Sequence, residues 1–281
     1  MSKANLIRFL HIPKTAGSTF TDILKRQYWP KAFFEFSGNL QGDRKRFAAL
    51  SEEDKKRIVL FIGHAPLHTG IAMADQAIVI SFLREPVSRV MSFCQHVYEG
   101  KSPYLREIFS PQTFNLDVFL KSGNSELSNL QTKMLLSDYD IHELIDKRFV
   151  SKKTIIDKAL DNLFNRILSY GLTEYFDESL IMIAHDLGWK RPFYFYYRRN
   201  IKNISKKLMF KKRHINIIKE LNALDIALYE SAKRRFLERI EKDASYGKKL
   251  KLYQCFNSFI APMLKMLRVG MKKIKKEPFR E

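Results

Sequence analysis

Lys14 stands three residues ahead of Gly17, and Ser18 and Thr19 follow at once, in the run His11-Ile-Pro-Lys-Thr-Ala-Gly-Ser-Thr19. A mobile ammonium, a glycine and two adjacent hydroxyls at this spacing suit a phosphate-like anion. The apolar run Leu6 to Leu10 reads as a buried strand and Phe20 to Tyr28 as a helix, so Lys14, Thr15, Ala16 and Gly17 form the loop between them. A helix that opens this way points its first free amides and the positive end of its dipole at an anion, and Ser18 and Thr19 add hydroxyl donors. The common nucleoside-triphosphate loop, G-x-x-x-x-G-K-[ST], puts Lys after its last glycine. Here Lys14 comes before Gly17, so its charge falls on a different part of the ligand. An ordinary strand-to-helix turn capped by Ser18 or Thr19 would share these residues.

A second segment of the same kind follows. Gln76 to Leu83 reads as a buried strand that ends in Arg84-Glu85-Pro86, and a helix then runs through Val87 to Phe93. Pro86 suits the first helical turn, where its missing N–H costs nothing. Arg84 at the strand end and Ser92 two turns into the helix are placed to meet around one anion. Both loops fall at the carboxyl ends of strands, where open α/β sheets bind ligands. In the alternative, Arg84 pairs with Glu85 or another acid and Ser92 is a small helix residue.

Together the two segments resemble the sulfotransferase superfamily, in the branch related to carbohydrate and heparan sulfate O-sulfotransferases. HIPKTAGST is similar to the family's 5′-phosphosulfate loop, and FLREPVSRVMSF to its 3′-phosphate segment. Further stretches match in order from residue 5 to about 240: Phe61-Ile-Gly-His64-Ala-Pro66, Asn129-Leu-Gln-Thr-Lys133, Tyr170-Gly-Leu-Thr-Glu174, Pro192 to Asn200, and Leu224 to Tyr229. The family's usual Asp before Pro86 is Glu85 here, and its frequent Thr-Thr or Thr-Ser is Ser18-Thr19.

The resemblance implies an enzyme that moves a sulfuryl group from 3′-phosphoadenosine 5′-phosphosulfate (PAPS) to a hydroxyl of a carbohydrate or related acceptor, without a metal. Lys14 would stabilise charge on the departing phosphate oxygen, and the loop Lys14, Thr15, Ala16, Gly17, Ser18 and Thr19 would hold the 5′-phosphosulfate. Arg84 and Ser92 would hold the 3′-phosphate. Asn129, Thr132 and Lys133 are expected on the donor or acceptor side. The acceptor hydroxyl needs a base with a pKa near ambient pH, which favours histidine. His64 closes the apolar strand Ile58 to Ile62 at the edge that carries both loops. His68, four residues on, is a further candidate beside the substrates. His96 falls four residues after Ser92 on one helix face. His11 is expected to be buried and hydrogen-bonded against the sheet. Two rivals are a P-loop-type small-molecule kinase, which lacks its Lys position and a clear magnesium motif here, and a non-catalytic polyanion-binding protein.

The elements that must position these residues are strands near 5–12, 57–63, 76–83 and 166–171, with helices near 17–28, 86–99, 177–187 and 217–243. A helical middle, about 103–164, is expected to cap the acceptor side. Strands separated by helices predict an α/β fold with a central, mainly parallel sheet and helices on both faces, a P-loop-like three-layer arrangement. The catalytic domain is expected over 1–244, with a basic amphipathic tail over 245–281.

The chain has 281 residues and is 45% hydrophobic, with 22 Phe and 12 Tyr, enough for one large core. Two cysteines give no disulfide framework and point to a reducing compartment. Met1 to Asn5 is polar and the first strand starts at once, so no signal peptide or N-terminal anchor is expected and a cytoplasmic protein is. Residues 190–219 hold eleven Lys/Arg and no acid, and residues 245–281 hold ten against two Glu, so nearly all the net charge of +20 sits in two stretches. A field this polarised attracts polyanions, such as the donor or an acidic acceptor. Within 248–276, Leu250, Phe256, Ile260, Leu264 and Leu267 recur near helical spacing with Lys and Arg on the flanks. That pattern suits contact with an anionic inner membrane leaflet or a partner, and equally a disordered tail or a helix packed on the body. The expected acceptor is a glycan, a glycolipid or a small-molecule hydroxyl, and no nucleic acid is expected.

Overall fold

The computed structural model describes residues 6–109, 112–136, 151–189, 208–255 and 258. Alternation along the strands decides its layers. In β1 (Ile7–Leu10), Ile7 and Phe9 face one side of the sheet, and Arg8 and Leu10 face the other. The first side packs against α1 (Gly17–Gln27) through Phe20, Ile23 and Leu24, whose i, i+3, i+4 spacing gives the helix one apolar stripe. The second side packs beneath helices from the later half of the chain.

Five parallel strands form the sheet in the order β2-β3-β1-β4-β5. They are β2 (Ala32–Phe36), β3 (Ile58–Gly63), β1, β4 (Ile78–Leu83) and β5 (Ile167–Leu172). Parallel strands need crossovers, and their near-continuous apolar runs are buried on both faces. Leu10 pairs with Gly63 on one side and Ser81 on the other. The chain therefore leaves β1, β3 and β4 at one edge, where the segments after Leu10, Gly63 and Leu83 come together. Gly63 has φ 123°, and a Cβ there would lie 2.3 Å from Phe36 O, so only glycine lets β3 turn out beside β2.

Between the strands lie α2 (Leu40–Ala48), α3 (Glu52–Arg57), α4 (Ala72–Asp75), α5 (Pro86–Tyr98), α6 (Leu116–Leu120), α7 (Leu130–Leu135) and α8 (Lys152–Asp161). After β5 come α9 (Phe176–Asp186), α10 (Lys212–Leu221) and α11 (Ala223–Lys242). α9 joins α1 on the first face of the sheet through Leu180 and Ile183, whereas α7, α8 and α11 share the opposite core with Leu10, Val79 and Leu83.

The structure refines the sequence reading at four places. β2, α2 and α3 occupy a stretch to which the sequence assigned no element. The helix expected over 217–243 is two helices, broken at Asn222, whose buried amide donates to Leu127 O at 2.8 Å and Ile218 O at 2.9 Å. In the middle of the chain the described residues form the short helices α6, α7 and α8, and 137–150 lie outside them. Residues 246–255, assigned to the tail, form a helix that packs on the body. Its Tyr253 enters the core of α1 and α9, and the Tyr246 hydroxyl bonds Glu178 O. The stretches 190–207 and 259–281, with most of the two basic clusters, lie outside the described residues.

Candidate anion-binding site

The loop after β1 is bent by two left-handed residues, Lys14 (φ 71°) and Ala16 (φ 64°). Buried Thr15 stabilises the bend by donating from Oγ1 to Ile12 O at 2.8 Å, so its hydroxyl serves the loop. Ala16 is the N-cap of α1 and supplies no side-chain cap. Its carbonyl accepts from the amides of Thr19 and Phe20, and the amides of Gly17 and Ser18 belong to the open first turn. Ser18 is exposed and Thr19 half-buried. The helix therefore offers its positive end, two amides and two hydroxyls to a ligand.

α5 makes the opposite choice. The Glu85 carboxylate caps its own helix, accepting from Val87 N at 2.9 Å and Ser88 N at 2.7 Å. Positive charge on this side comes from Arg84. Its Nη1 donates to Lys14 O at 3.0 Å, which ties the end of β4 to the β1 loop. Gln131 brackets the Arg84 main chain, accepting from its N at 2.9 Å and donating to its O at 2.8 Å. Arg84 Nε is buried with no hydrogen-bond partner among the described residues. An orphaned guanidinium donor is costly unless something anionic completes it.

Burial, with the Arg84 charge adding, pushes the Lys14 ammonium down to about 8. Burial likewise pushes His96 down to about 4, helped by the charges of Lys14 and Lys101. Lys14 is thus within electrostatic reach of the α5 face that carries Ser92 and His96.

His64 lies at the same edge. Its Nδ1 is 2.8 Å from His11 O. A carbonyl can only accept, so Nδ1 carries a proton, and in the neutral ring Nε2 is the nitrogen with the lone pair. His11, expected to be buried, is half-buried; its ring stacks on Phe9 at 5.3 Å and lies 4.3 Å from the His64 ring. Burial and the neighbouring His64 and Lys14 push it to about 3, so it stays neutral. Gly17 is needed here for a reason apart from the anion: a Cβ would fall 1.8 Å from His11 Nε2.

Four other expected residues do not join this cluster. His68 Nδ1 is 3.0 Å from Asp75 Oδ2, at the end of the sheet where β4 begins. Thr132 is buried, and its hydroxyl donates to Asp225 Oδ1 at 2.7 Å. Asn129 Oδ1 accepts from Leu224 N at 3.0 Å and Asp225 N at 3.2 Å, so it closes the start of α11. Lys133 is half-buried, its Nζ 3.5 Å from Ser125 O, with its pKa lowered by burial. The stretch 129–133 reaches the site through Gln131, which sequence reasoning passed over. Glu174 was also missed; it accepts from Glu85 N at 3.0 Å and from the Tyr229 hydroxyl at 2.7 Å.

A parallel α/β sheet whose first loop and uncapped helix meet a half-buried arginine at the end of the fourth strand has the features of a site for a multiply anionic ligand. The profile of the galactose-3-O-sulfotransferase family matches residues 2–250, and the chain belongs to that family. It is 26% identical to heparan-sulfate 6-O-sulfotransferase 2 of Gallus gallus over 187 residues, 58% of this chain and 45% of the relative. It is 25% identical to the Homo sapiens protein of that name over 291 residues, 84% of this chain and 45% of the relative. The chain therefore spans about half the length of these curated relatives. A solved structure of a mouse sulfotransferase complexed with PAP aligns with 80% of this chain and 67% of its own at TM-score 0.39 and 12% identity.

Proposed function

We propose that this protein transfers the sulfuryl group of PAPS to a hydroxyl of a carbohydrate acceptor. Family membership and the sulfotransferase relatives support this reading. One observation carries it at the level of the site: Arg84 is bonded to the Lys14 carbonyl, yet its buried Nε has no hydrogen-bond partner among the described residues. Two anion-holding segments are thereby joined at one place, as a donor with phosphates at both ends of its ribose requires.

The residues present fit that donor. The open end of α1, with Ser18 and Thr19, would hold the 5′-phosphosulfate. Arg84, with Ser92 on the facing side of α5, would hold the 3′-phosphate. PAPS supplies an activated sulfuryl group. His64 Nε2 takes the proton of the attacking hydroxyl as its oxygen bonds to sulfur. The bridging S–O bond breaks, and its electron pair stays on the phosphate oxygen beside the Lys14 ammonium. Positioned donors of this type contribute about 3 kcal/mol each to such steps.

Calorimetric titration with 3′,5′-adenosine bisphosphate (PAP), 5′-AMP and ATP in magnesium-free buffer tests the reading. Binding that requires the 3′-phosphate and disappears in Arg84→Ala is the expected result. A preference for ATP, or equal losses of PAP and 5′-AMP binding in Arg84→Ala, would overturn the assignment of the two loops.

A further inference from the structure

Arg8 is an unusual residue for the middle strand of a buried parallel sheet. It is 1% exposed, and burial pushes its guanidinium down to about 10 although Asp75 lies beside it. A group at that value is still charged at neutral pH. Taking a charge out of water costs several kcal/mol even when it is paired, and an aliphatic residue would fill the position more cheaply. Its contacts show what the charge does. The side chain crosses the sheet past the Phe36 ring, 5.7 Å from its centre, toward the segment that follows β3. Nη1 donates to Leu67 O at 2.7 Å, and Nη2 donates to Pro66 O and reaches Ala65 O at 3.5 Å. Nη1 also lies 3.4 Å from Asp75 Oδ1. Asp75 in turn accepts from Thr69 N at 2.7 Å, Thr69 Oγ1 at 2.7 Å and Gly70 N at 2.9 Å.

Three consecutive carbonyls thus converge on one guanidinium, and its counter-ion holds Thr69 and Gly70. The residue directly before this gripped run is His64. Its other anchor, the His11 carbonyl, lies three residues beyond Arg8 on the same chain segment. β1 therefore fixes the backbone that carries His64 and the proton position of its imidazole, and then continues into the anion loop.

We infer that Arg8 is a positioning residue for His64, holding the imidazole so that Nδ1 stays bonded to His11 O and Nε2 points at the acceptor. Its effect on the reaction rests on the reading of His64 as the base. Removing the clamp lets the 64–70 segment relax and the two imidazole tautomers mix. Among the described residues the hydrogen bonds and the ion pair of Arg8 go to Ala65, Pro66, Leu67 and Asp75 and not to the Lys14–Thr19 loop or Arg84, so donor binding should stay intact.

The experiment compares wild type, Arg8→Lys and Arg8→Met, each confirmed as folded by near-ultraviolet dichroism. The probes are PAP by calorimetry and the His64 ring nitrogens by ¹⁵N NMR, assigned with His64→Ala. Wild type should show a protonated Nδ1 and a bare Nε2. Both variants should shift toward averaged tautomers while PAP affinity stays within about twofold. An unchanged tautomer pattern, or PAP affinity lost in step with it, would overturn the inference. If neither Arg8 variant folds, Asp75→Asn loosens the same grip from outside, and the same two outcomes apply. A double-mutant cycle on PAPS turnover with a galactoside acceptor then separates the two claims. Arg8→Lys should lower kcat about tenfold or more in the wild type and have no further effect on His64→Ala. Additive losses would overturn the positioning role. Wild-type turnover in His64→Ala would instead remove His64 as the base and leave the tautomer result standing.

Discussion

At the scale of single residues, Lys14 makes the sharpest pH prediction. Its ammonium titrates near 8 in the free protein because burial and Arg84 both disfavour the charge. An anion bound beside it restores that charge and raises the pKa, so binding takes up a proton over the window from about 8 upward. PAP affinity should be flat below neutrality and fall as pH rises past that value. Calorimetry at pH 8.5 in two buffers of different ionisation enthalpy should show uptake of a fraction of a proton, absent in Lys14→Met. Equal apparent enthalpies in both buffers for the wild type would remove Lys14 from the anion site. Gly17 offers a steric test that needs no ligand. Gly17→Ala places a methyl 1.8 Å from the His11 ring and should cost about 1–3 kcal/mol of stability. In a His11→Ala background the same change should cost under about 0.5 kcal/mol by urea unfolding, because the ring it meets is gone.

At the scale of elements, α7 serves two purposes through adjacent residues. Asp225, fully buried at the start of α11, accepts from Gln131 N at 3.1 Å, Thr132 N at 2.8 Å and Thr132 Oγ1 at 2.7 Å. Thr132→Val should cost about 1–3 kcal/mol in stability and leave PAP affinity unchanged, since it strips one donor from a buried carboxylate. Gln131→Ala should do the reverse, weakening PAP binding about tenfold by releasing the Arg84 main chain, with the loss of stability smaller. Parallel changes in both quantities for both variants would mean that α7 acts as one structural block. The contrast also shows what was readable in advance. β1, β3 and β4 were legible because strands buried on both faces are apolar runs, and the loops at their ends carried Lys14, His64 and Arg84 within a few residues of each strand. β2 was not, since an edge strand half open to solvent interleaves Glu35 with its phenylalanines. Gln131, Asp225, Glu174 and Arg8 act through partners 47 to 94 residues away. No local pattern encodes such pairings.

At the scale of the whole molecule, the described part of the C-terminal segment packs on the body. Residues 246–255 dock on the body through Tyr246 and Tyr253, each 6% exposed, and Tyr253 reaches the core formed by α1 and α9. Burying two such side chains contributes on the order of 3 kcal/mol, which in a domain of this size is roughly 5–10 °C in Tm. The residues beyond 255 carry Lys265, Arg268, Lys272, Lys273, Lys275, Lys276 and Arg280. An anionic surface attracts such a cluster by about 1 kcal/mol per charge, provided apolar side chains add to it. Chains ending at Asp243 and at Cys255 separate the two contributions. The longer one should keep the full-length Tm and lose sedimentation with phosphatidylglycerol vesicles, in a manner that salt reproduces in the full-length protein. The shorter one should lose both vesicle binding and several degrees of Tm. Vesicle binding retained in the chain ending at Cys255 would move the membrane contact to another part of the sequence, such as the basic run 190–219. An unchanged Tm in the chain ending at Asp243 would show that α1 and α9 close their core without the two tyrosines.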